Sequence, residues 1–429
     1  MAAETVDLAF LVQERERAEL FVQGSAMYSG STQLERMASQ AGLAIADPKA
    51  YGQRLFDASF GDGNLREGYR LAKTLAEERG HALRFQLMIH DSAPLHAHHL
   101  HWELGRAGED HYCWGASPNL WFSRCPWLSK QPTEFRVEQP RLGVAVAAPT
   151  DVARYGLAHL DRRIVLDTFK KRLKRLAPRL ALSVLDGRVT SDRLSEFCRD
   201  RGLHMLLLVA HGVQRASLAT AEMVLEQRSG EALFVDQSRF GDLLDGCRSL
   251  RQVTLLTCSG AQITGTDPFS GIGPALVGRG IPTVIAMNSP ISLNHALPFA
   301  QDFYQNLASN GCVDRAMAAA RHKAYLQEPE LPFWHAPLLY MRPRDGYIWR
   351  HADDDGRRKP DPMKRHSQEE RPWHGGGVPG VLNALKGNRV EGAVIIENQT
   401  ETGDKGHIVN DVDQNHVGSI KIANRIHRD

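Results

Sequence analysis

Short apolar runs alternate with longer segments of helical spacing along residues 141–345. The apolar runs cover residues 142–148, 182–185, 206–212, 253–257 and 282–287, and each has the length of a buried strand. Segments between and after them, such as 157–176 and 314–327, are predicted to be helices. Strands that alternate with helices predict an α/β fold with a mostly parallel sheet sandwiched by helices.

The region before this unit shows the same alternation. Residues 8–12 form an apolar run, residues 64–79 have helical spacing, and residues 81–90 alternate apolar and polar positions. The period of two at 81–90 predicts a strand with one buried face. We therefore predict an N-terminal α/β region at residues 1–140, followed by the main α/β domain at 141–348.

The last 81 residues differ in character from the rest of the chain. Residues 349–380 are charged and contain Pro and Gly, which is typical of a linker. Residues 381–429 form an Asn/Gly-rich, β-prone tail with a weak internal repeat, in which Ile396 and Asn398 correspond to Ile422 and Asn424. The tail is either an interaction motif that recruits a partner by strand pairing or a small β appendage or disordered segment.

Composition limits the classes of protein that fit. Hydrophobic residues make up 42% of the chain, enough for a sizeable core, and a net charge of +2 gives no overall attraction to nucleic acid or membrane. The six cysteines form no CxxC pair, which disfavours a zinc ribbon and a disulfide scaffold. The N-terminus lacks the pattern of a signal peptide, and no apolar run is long enough to span a membrane. We expect a cytoplasmic protein without a cofactor.

Two further segments have a simple alternative to a functional interpretation. Four histidines lie between residues 96 and 101, but the segment lacks a cysteine pair and HExxH spacing, so we expect a partly packed turn without a metal. Residues 170–175 are rich in Lys and Arg, and a solvated helix face explains them better than a nucleic-acid site.

Two reactive side chains follow neighbouring apolar runs. His211 follows the run that starts at residue 206, and Cys258 follows the run that starts at 253. Carboxyl ends of parallel strands meet at one edge of a sheet, so we expect the two side chains to emerge together there. An imidazole beside a thiol forms a base and a nucleophile, and no Asp or Asn is placed as a third member, which predicts a dyad. The N–H groups of Gly212 and Cys258 would suit an oxyanion hole.

Each of these two residues has a structural alternative when it is considered alone. A lone Cys is often a small buried hydrophobe, and a lone His is often a hydrogen-bonded core residue. Two such residues after adjacent central strands, each closely followed by Gly, favour catalysis. A redox or thiol-transfer protein is disfavoured because no resolving cysteine lies near Cys258.

These motifs together resemble CHAT domains, a caspase-like peptidase family related to separase. Cys258 follows His211 by 47 residues, close to the spacing known for caspases. The resemblance also rests on Asp186-Gly187-Arg188-Val189-Thr190, on residues 278–287, on the helices near 299–304 and 316–321, and on Trp102-Glu103-Leu104. It is expected to begin near residue 50 and to end near 345. The caspase signature around the cysteine is absent, so a preference for Asp at P1 is not expected.

The resemblance implies a cysteine endopeptidase that cleaves a protein substrate in a regulated bacterial defence or cell-death pathway. It makes residues 1–140 a peptidase-like companion region, and it implies that an acidic residue after the first strand of the peptidase domain holds a basic P1 side chain. Asp151 matches that place, with Asp267 as a second candidate; the simple alternative for Asp151 is a helix N-cap. An activating partner recruited by the tail fits this class. The competing function is a non-catalytic scaffold that binds partners through its tail.

Overall fold

The computed structural model describes residues 5–24, 26–40, 44, 46–90, 92–126, 131–176, 179–214, 221–257, 272–289, 291–330, 332–350, 381–385, 393–400, 408–412 and 419–426. The chain divides into two compact units, Met1–Arg357 and Arg358–Asp429, which are described separately. The division falls within the predicted linker 349–380, of which residues 351–380 lie outside the described residues.

Within the described residues, the N-terminal half of the first unit contains five strands and three α-helices. The strands are β1 (Thr5–Val12), β2 (Arg17–Val22), β3 (Ala26–Ser31), β4 (Ala82–Ile89) and β5 (Leu120–Pro126). The helices are α1 (Pro48–Phe60), α2 (Gly63–Arg79) and α3 (Leu95–His99), with 3-10 turns at Glu14–Glu16, Leu34–Gln40 and Trp102–Leu104.

The C-terminal half of this unit contains eight strands and six α-helices in the part of the chain that the structure describes. The strands are β6 (Arg141–Val146), β7 (Ala181–Val184), β8 (Met205–Gln214), β9 (Ala221–Glu226), β10 (Ala232–Asp236), β11 (Gln252–Thr257), β12 (Thr283–Met287) and β13 (Pro337–Met341). The helices are α4 (Arg162–Leu176), α5 (Ser191–Asp200), α6 (Gln237–Leu244), α7 (Ile272–Gly278), α8 (Leu293–Asn310) and α9 (Val313–Gln327), with 3-10 turns at Val152–Tyr155 and Pro332–His335.

All thirteen strands described in this unit form one sheet, in the order β10-β9-β8-β11-β12-β13-β5-β4-β1-β2-β3, with β6 paired to β7 and β8. Strands β7, β6, β8, β11 and β12 are parallel neighbours, as are β13, β5, β4 and β1. Because β13 is antiparallel to β12, these two parallel groups run in opposite directions. The mostly parallel α/β fold predicted from the sequence is confirmed, and the sheet is continuous across residue 140.

Helix ends follow local capping chemistry. The carboxylates of Asp62 and Asp236 and the hydroxyl of Thr190 accept hydrogen bonds from backbone N–H groups in the first turns of α2, α6 and α5. Asp161 accepts from the N–H of Ile164, so α4 begins at Arg162 and not at residue 157. Residues 157–161 belong to neither a helix nor a strand, and the 3-10 turn Val152–Tyr155 lies before them.

One prediction for the N-terminal half needs correction. The strand at 82–89 was expected to bury one face, but six consecutive residues of β4 are buried. The reason is its position between β1 and β5, where helices cover the sheet. Helix α1 and strands β3, β5 and β13 were not predicted.

No helix in the described residues is both long and apolar enough to cross a membrane.

The described residues of the second unit form four short strands: β14 (Val381–Leu385), β15 (Ala393–Thr400), β16 (Ile408–Val412) and β17 (Ser419–Ile426). Strand β14 pairs with β16, and β15 pairs with β17, both in parallel. The corresponding positions of the weak sequence repeat are therefore neighbours, because Ile396 pairs with Ile422 and Asn398 with Asn424.

Candidate active site

The parallel ladder between β8 and β11 ends next to both residues of the predicted dyad. Its last pair joins Ala210 to Thr257. His211 and Cys258 are the next residues in the sequence after this pair. The sequence predicted that the two apolar runs are adjacent and parallel. The structure shows this alignment and gives its residue pairs. Cys258 itself lies in the segment 258–271, outside the described residues.

Strand β8 does not end at His211, as the sequence pattern predicted. It continues to Gln214, and its last four residues pair with β9 in an antiparallel ladder that sets His211 opposite Val224. The parallel ladders that β8 forms with β6 and β11 end at Val209 and Ala210 of β8, respectively. His211 therefore lies where β8 leaves the parallel sheet and enters the β9–β10 hairpin, so the expected edge position holds although the strand is longer.

The imidazole of His211 is almost fully buried, with 1% of the residue exposed. Burial lowers the pKa of His211 below its usual value, and a hydrogen bond with the backbone of Ala158 acts in the opposite direction. Its Nε2 atom is buried and has no hydrogen-bond partner among the described residues. A neutral imidazole with an uncommitted ring nitrogen is able to accept a proton from a neighbouring group.

The structure describes one of the two residues that were expected to form the oxyanion hole. Gly212 is buried in β8 and pairs with Met223 of β9. The second donor was expected from Cys258, which lies outside the described residues. The oxyanion hole therefore stays a prediction from the sequence.

The side chain of Asp151 joins the loop after β6 to the β9–β10 hairpin. Asp151 is the N-cap residue of the turn Val152–Tyr155, but its carboxylate does not cap that turn. Its Oδ1 atom accepts a hydrogen bond from the N–H of Ala232 at 2.7 Å. The side-chain N-cap considered as the simple alternative is therefore wrong, because the carboxylate reaches across to β10. Asp267, the second candidate for P1 recognition, lies outside the described residues.

A buried carboxylate that the sequence analysis did not identify braces this edge of the sheet. Glu226 ends β9, and its side chain is 2% exposed. Its oxygens accept from Nη2 of Arg162 at 2.5 and 2.6 Å, from the N–H of Val189 at 2.8 Å and from the N–H of Ala148 at 3.3 Å. Arg162 also donates through Nε to the carbonyl of Val146. One carboxylate thus ties α4 and two loops to the hairpin that carries Val224 opposite His211.

The histidine-rich segment lies in and after α3. Nδ1 of His101 is 3.4 Å from the amide nitrogen of Asn288, and its ring contacts that of His335 at 5.7 Å between centroids. Burial is the main cause of the lowered pKa of His101 and of the pKa of about 3 for His335. No group of three or more His, Cys, Asp or Glu side chains within the described ranges is arranged to hold a metal.

These features define an α/β protein with a buried histidine at the edge of a mostly parallel sheet. The sequence matches the CHAT domain family over residues 11–351. The chain therefore belongs to the CHAT domain family. The match begins well before residue 50, where the sequence resemblance was expected to start, so it includes β2 and β3. Comparison with curated proteins gives no match.

Similar solved structures include the complex of the pro- and mature domains of RgpB from Porphyromonas gingivalis, at 11% identity, a TM-score of 0.41 and coverage of 79% of each chain. The separase–securin complex of Saccharomyces cerevisiae has 12% identity and a TM-score of 0.37, with 76% of this chain and 21% of that chain covered. The Drosophila initiator caspase Dronc has 12% identity and a TM-score of 0.26, with 43% of this chain and 70% of that chain covered.

Proposed function

We propose that this protein is a cysteine endopeptidase in which His211 and Cys258 act as a dyad. The observation that carries the proposal is the parallel ladder that ends at Ala210 and Thr257, one residue before each member. Membership of the CHAT family supports the same reaction class. The buried, uncommitted Nε2 of His211 supplies a base in its neutral form.

In this mechanism, Nε2 of His211 accepts the proton of the Cys258 thiol as the sulfur attacks the scissile carbonyl carbon. The N–H groups of Gly212 and Cys258 stabilise the negative charge that develops on the carbonyl oxygen. The imidazolium returns the proton to the leaving amine, which leaves a thioester on Cys258. Water then attacks the thioester, with His211 again accepting the proton, and releases the acid and the free thiol.

We place a basic residue at P1 of the substrate. The carboxylate of Asp151 is attached to the hairpin beside His211, and Oδ1 alone is engaged by Ala232 in the described contacts. A carboxylate in this position would select Arg or Lys by charge pairing. Asp151→Asn is the sharpest test because an amide oxygen can still accept from Ala232. We expect it to reduce cleavage after Arg and Lys, and Asp267→Asn to do so if that residue is the partner instead.

The cellular setting of this reaction follows from the family resemblance and from cysteine usage. Five cysteines in the described residues are buried and form no disulfide: Cys113, Cys125, Cys198, Cys247 and Cys312. Free thiols suit a reducing compartment such as the cytoplasm. We place the peptidase in a bacterial defence or cell-death pathway, where it processes a protein substrate after an activating partner engages the tail.

The experiment that tests the dyad measures alkylation of Cys258 by a peptidyl ketone electrophile with Arg at P1. Mass spectrometry of the intact chain and its peptides gives the rate at this cysteine. We expect His211→Ala to slow the reaction about 100-fold or more, the usual loss when a general base is removed. His159→Ala is the matched control, since His159 is an exposed histidine on the loop next to Ala158. Equal rates for the two variants would refute the dyad.

The second candidate function is a non-catalytic scaffold that binds partners through the tail. The paired strands of the second unit favour it, because they form an independent unit with its own regular pairing. The same alkylation experiment separates the two functions. In a scaffold, Cys258 would react no faster than a free thiol in a peptide.

A further inference from the structure

The second unit repeats one short pattern of strands. We call β14 and β15 the first rung, and β16 and β17 the second rung. Each strand of the first rung pairs with the corresponding strand of the second, in parallel and without a register shift along its length. Asn383 pairs with Asn410, and Asn398 pairs with Asn424. The two rungs are therefore successive copies of one unit.

This arrangement leaves strand edges that a further rung would fit. Within the described residues of the second unit, each sheet contains two strands. One edge of each strand therefore has no strand beside it in that part of the chain. The N–H and C=O groups of a strand edge form a template for another strand, and a matching rung would add at a spacing of about 4.8 Å.

Charge placement determines which rung fits which edge. The strands carry four charged residues, and each is opposite an uncharged residue: Asp411 opposite Ala384, Glu397 opposite Ala423, Lys421 opposite Ile395, and Arg425 opposite Gln399. A first rung paired with another first rung would set Glu397 against its own copy. A second rung paired with another second rung would do the same at the other three positions. Like charges directly opposite each other are destabilising.

We propose that the second unit is a self-association surface in which the second rung of one chain pairs in register with the first rung of another. This pairing repeats, between chains, the register already present within one chain. It keeps every charged residue opposite an uncharged one. The contact is head-to-tail, so each added copy presents a new free edge and the assembly is an open stack. The proposal is independent of the peptidase activity.

The test uses the full chain with Cys258→Ala throughout, so that no self-cleavage complicates the result. Sedimentation velocity over a range of concentrations gives the concentration at which half of the chains are associated. Ile395→Lys sets a lysine opposite Lys421 both within a chain and between chains. We expect it to raise the half-association concentration by up to about fivefold, because each contact between chains gains one unfavourable pair of a few tenths to 1 kcal/mol.

The matched variant exchanges the two residues. Ile395→Lys combined with Lys421→Ile restores a lysine opposite an isoleucine in every pair, and we expect it to return association to the level of the parent chain. A parent chain that stays monomeric at all concentrations would overturn the proposal. So would association that Ile395→Lys leaves unchanged, or association that requires a different protein carrying a similar repeat.

Discussion

Replacement of Glu226 by Gln tests whether a single carboxylate holds the edge of the sheet around His211. The side chain of Glu226 is 2% exposed and that of its partner Arg162 is 24% exposed. The change removes the negative charge and one of the two oxygens that accept from Arg162, Val189 and Ala148. A partly exposed guanidinium is left without its counter-charge, and an NH2 group takes the place of one of the two oxygens that accept from it.

The size of the effect follows from these contacts. Removal of one partner from a buried ion pair costs about 3–5 kcal/mol. The lower end applies here, because Arg162 is partly exposed and the amide oxygen of Gln still accepts one hydrogen bond. We therefore expect Glu226→Gln to lower the free energy of unfolding of the first unit by about 3 kcal/mol.

Urea unfolding followed by tryptophan fluorescence measures this free energy. Asp192→Asn is the matched control, because Asp192 pairs with Arg228 at 3.2 Å but both side chains are more than two-thirds exposed. An exposed pair of this kind contributes about 0–1 kcal/mol. If Glu226→Gln changes the free energy of unfolding no more than Asp192→Asn does, the bracing role of Glu226 is refuted.

Three further predictions follow from buried charges and histidines. Glu103→Gln should cost about 3–5 kcal/mol in urea unfolding, because Glu103 is fully buried between the guanidinium groups of Arg124 and Arg321; a loss below 1 kcal/mol would contradict this. Burial lowers the pKa of His204 to about 4 and that of His335 to about 3, whereas the unfolded chain binds a proton near pH 6.5. Stability should therefore fall as pH drops below about 6.5, by about 2 kcal/mol per histidine at pH 5, and unfolding free energies that are equal at pH 8 and pH 5 would exclude it. Asp151→Ala should cost about 1–2 kcal/mol by leaving the N–H of Ala232 without its acceptor, and Asp151→Asn should cost less in the same assay.

The strands that could be predicted from the sequence are those whose apolar runs end at Gly, Pro or polar residues. Strands β6, β8, β11 and β12 are of this kind, and they form the parallel group that carries His211. Their adjacency follows from general rules for α/β sheets, which need no knowledge of distant residues. The edge position of His211 was therefore predictable.

The parts that were missed depend on contacts between distant parts of the chain. Strand β13 is a short apolar run like the others, and its antiparallel direction arises from pairing with β12. The extension of β8 beyond Gly212 depends on the hairpin partner β9. Strand β3 has a mixed polar sequence and pairs with β2 at the edge of the sheet. Local periodicity carries no information about such partners.

The role of Glu226 was missed for a related reason. A glutamate at the end of a strand is ordinarily interpreted as an exposed residue. Its burial is offset by Arg162, which is 64 positions earlier in the chain. Asp151 was identified as a functional candidate, but its bond to Ala232 depends on a turn 81 positions later. A buried charge could be found from sequence only if its partner were known.

The central claim is that Cys258 cuts a protein substrate. The most direct measurement compares new protein N-termini in cells that express this chain with those in cells that express Cys258→Ala, each together with its neighbouring genes. The dyad predicts a set of termini that requires Cys258, disappears with His211→Ala, and shares Arg or Lys at P1. Identical N-termini in the two cell lines would contradict the peptidase assignment and favour the scaffold.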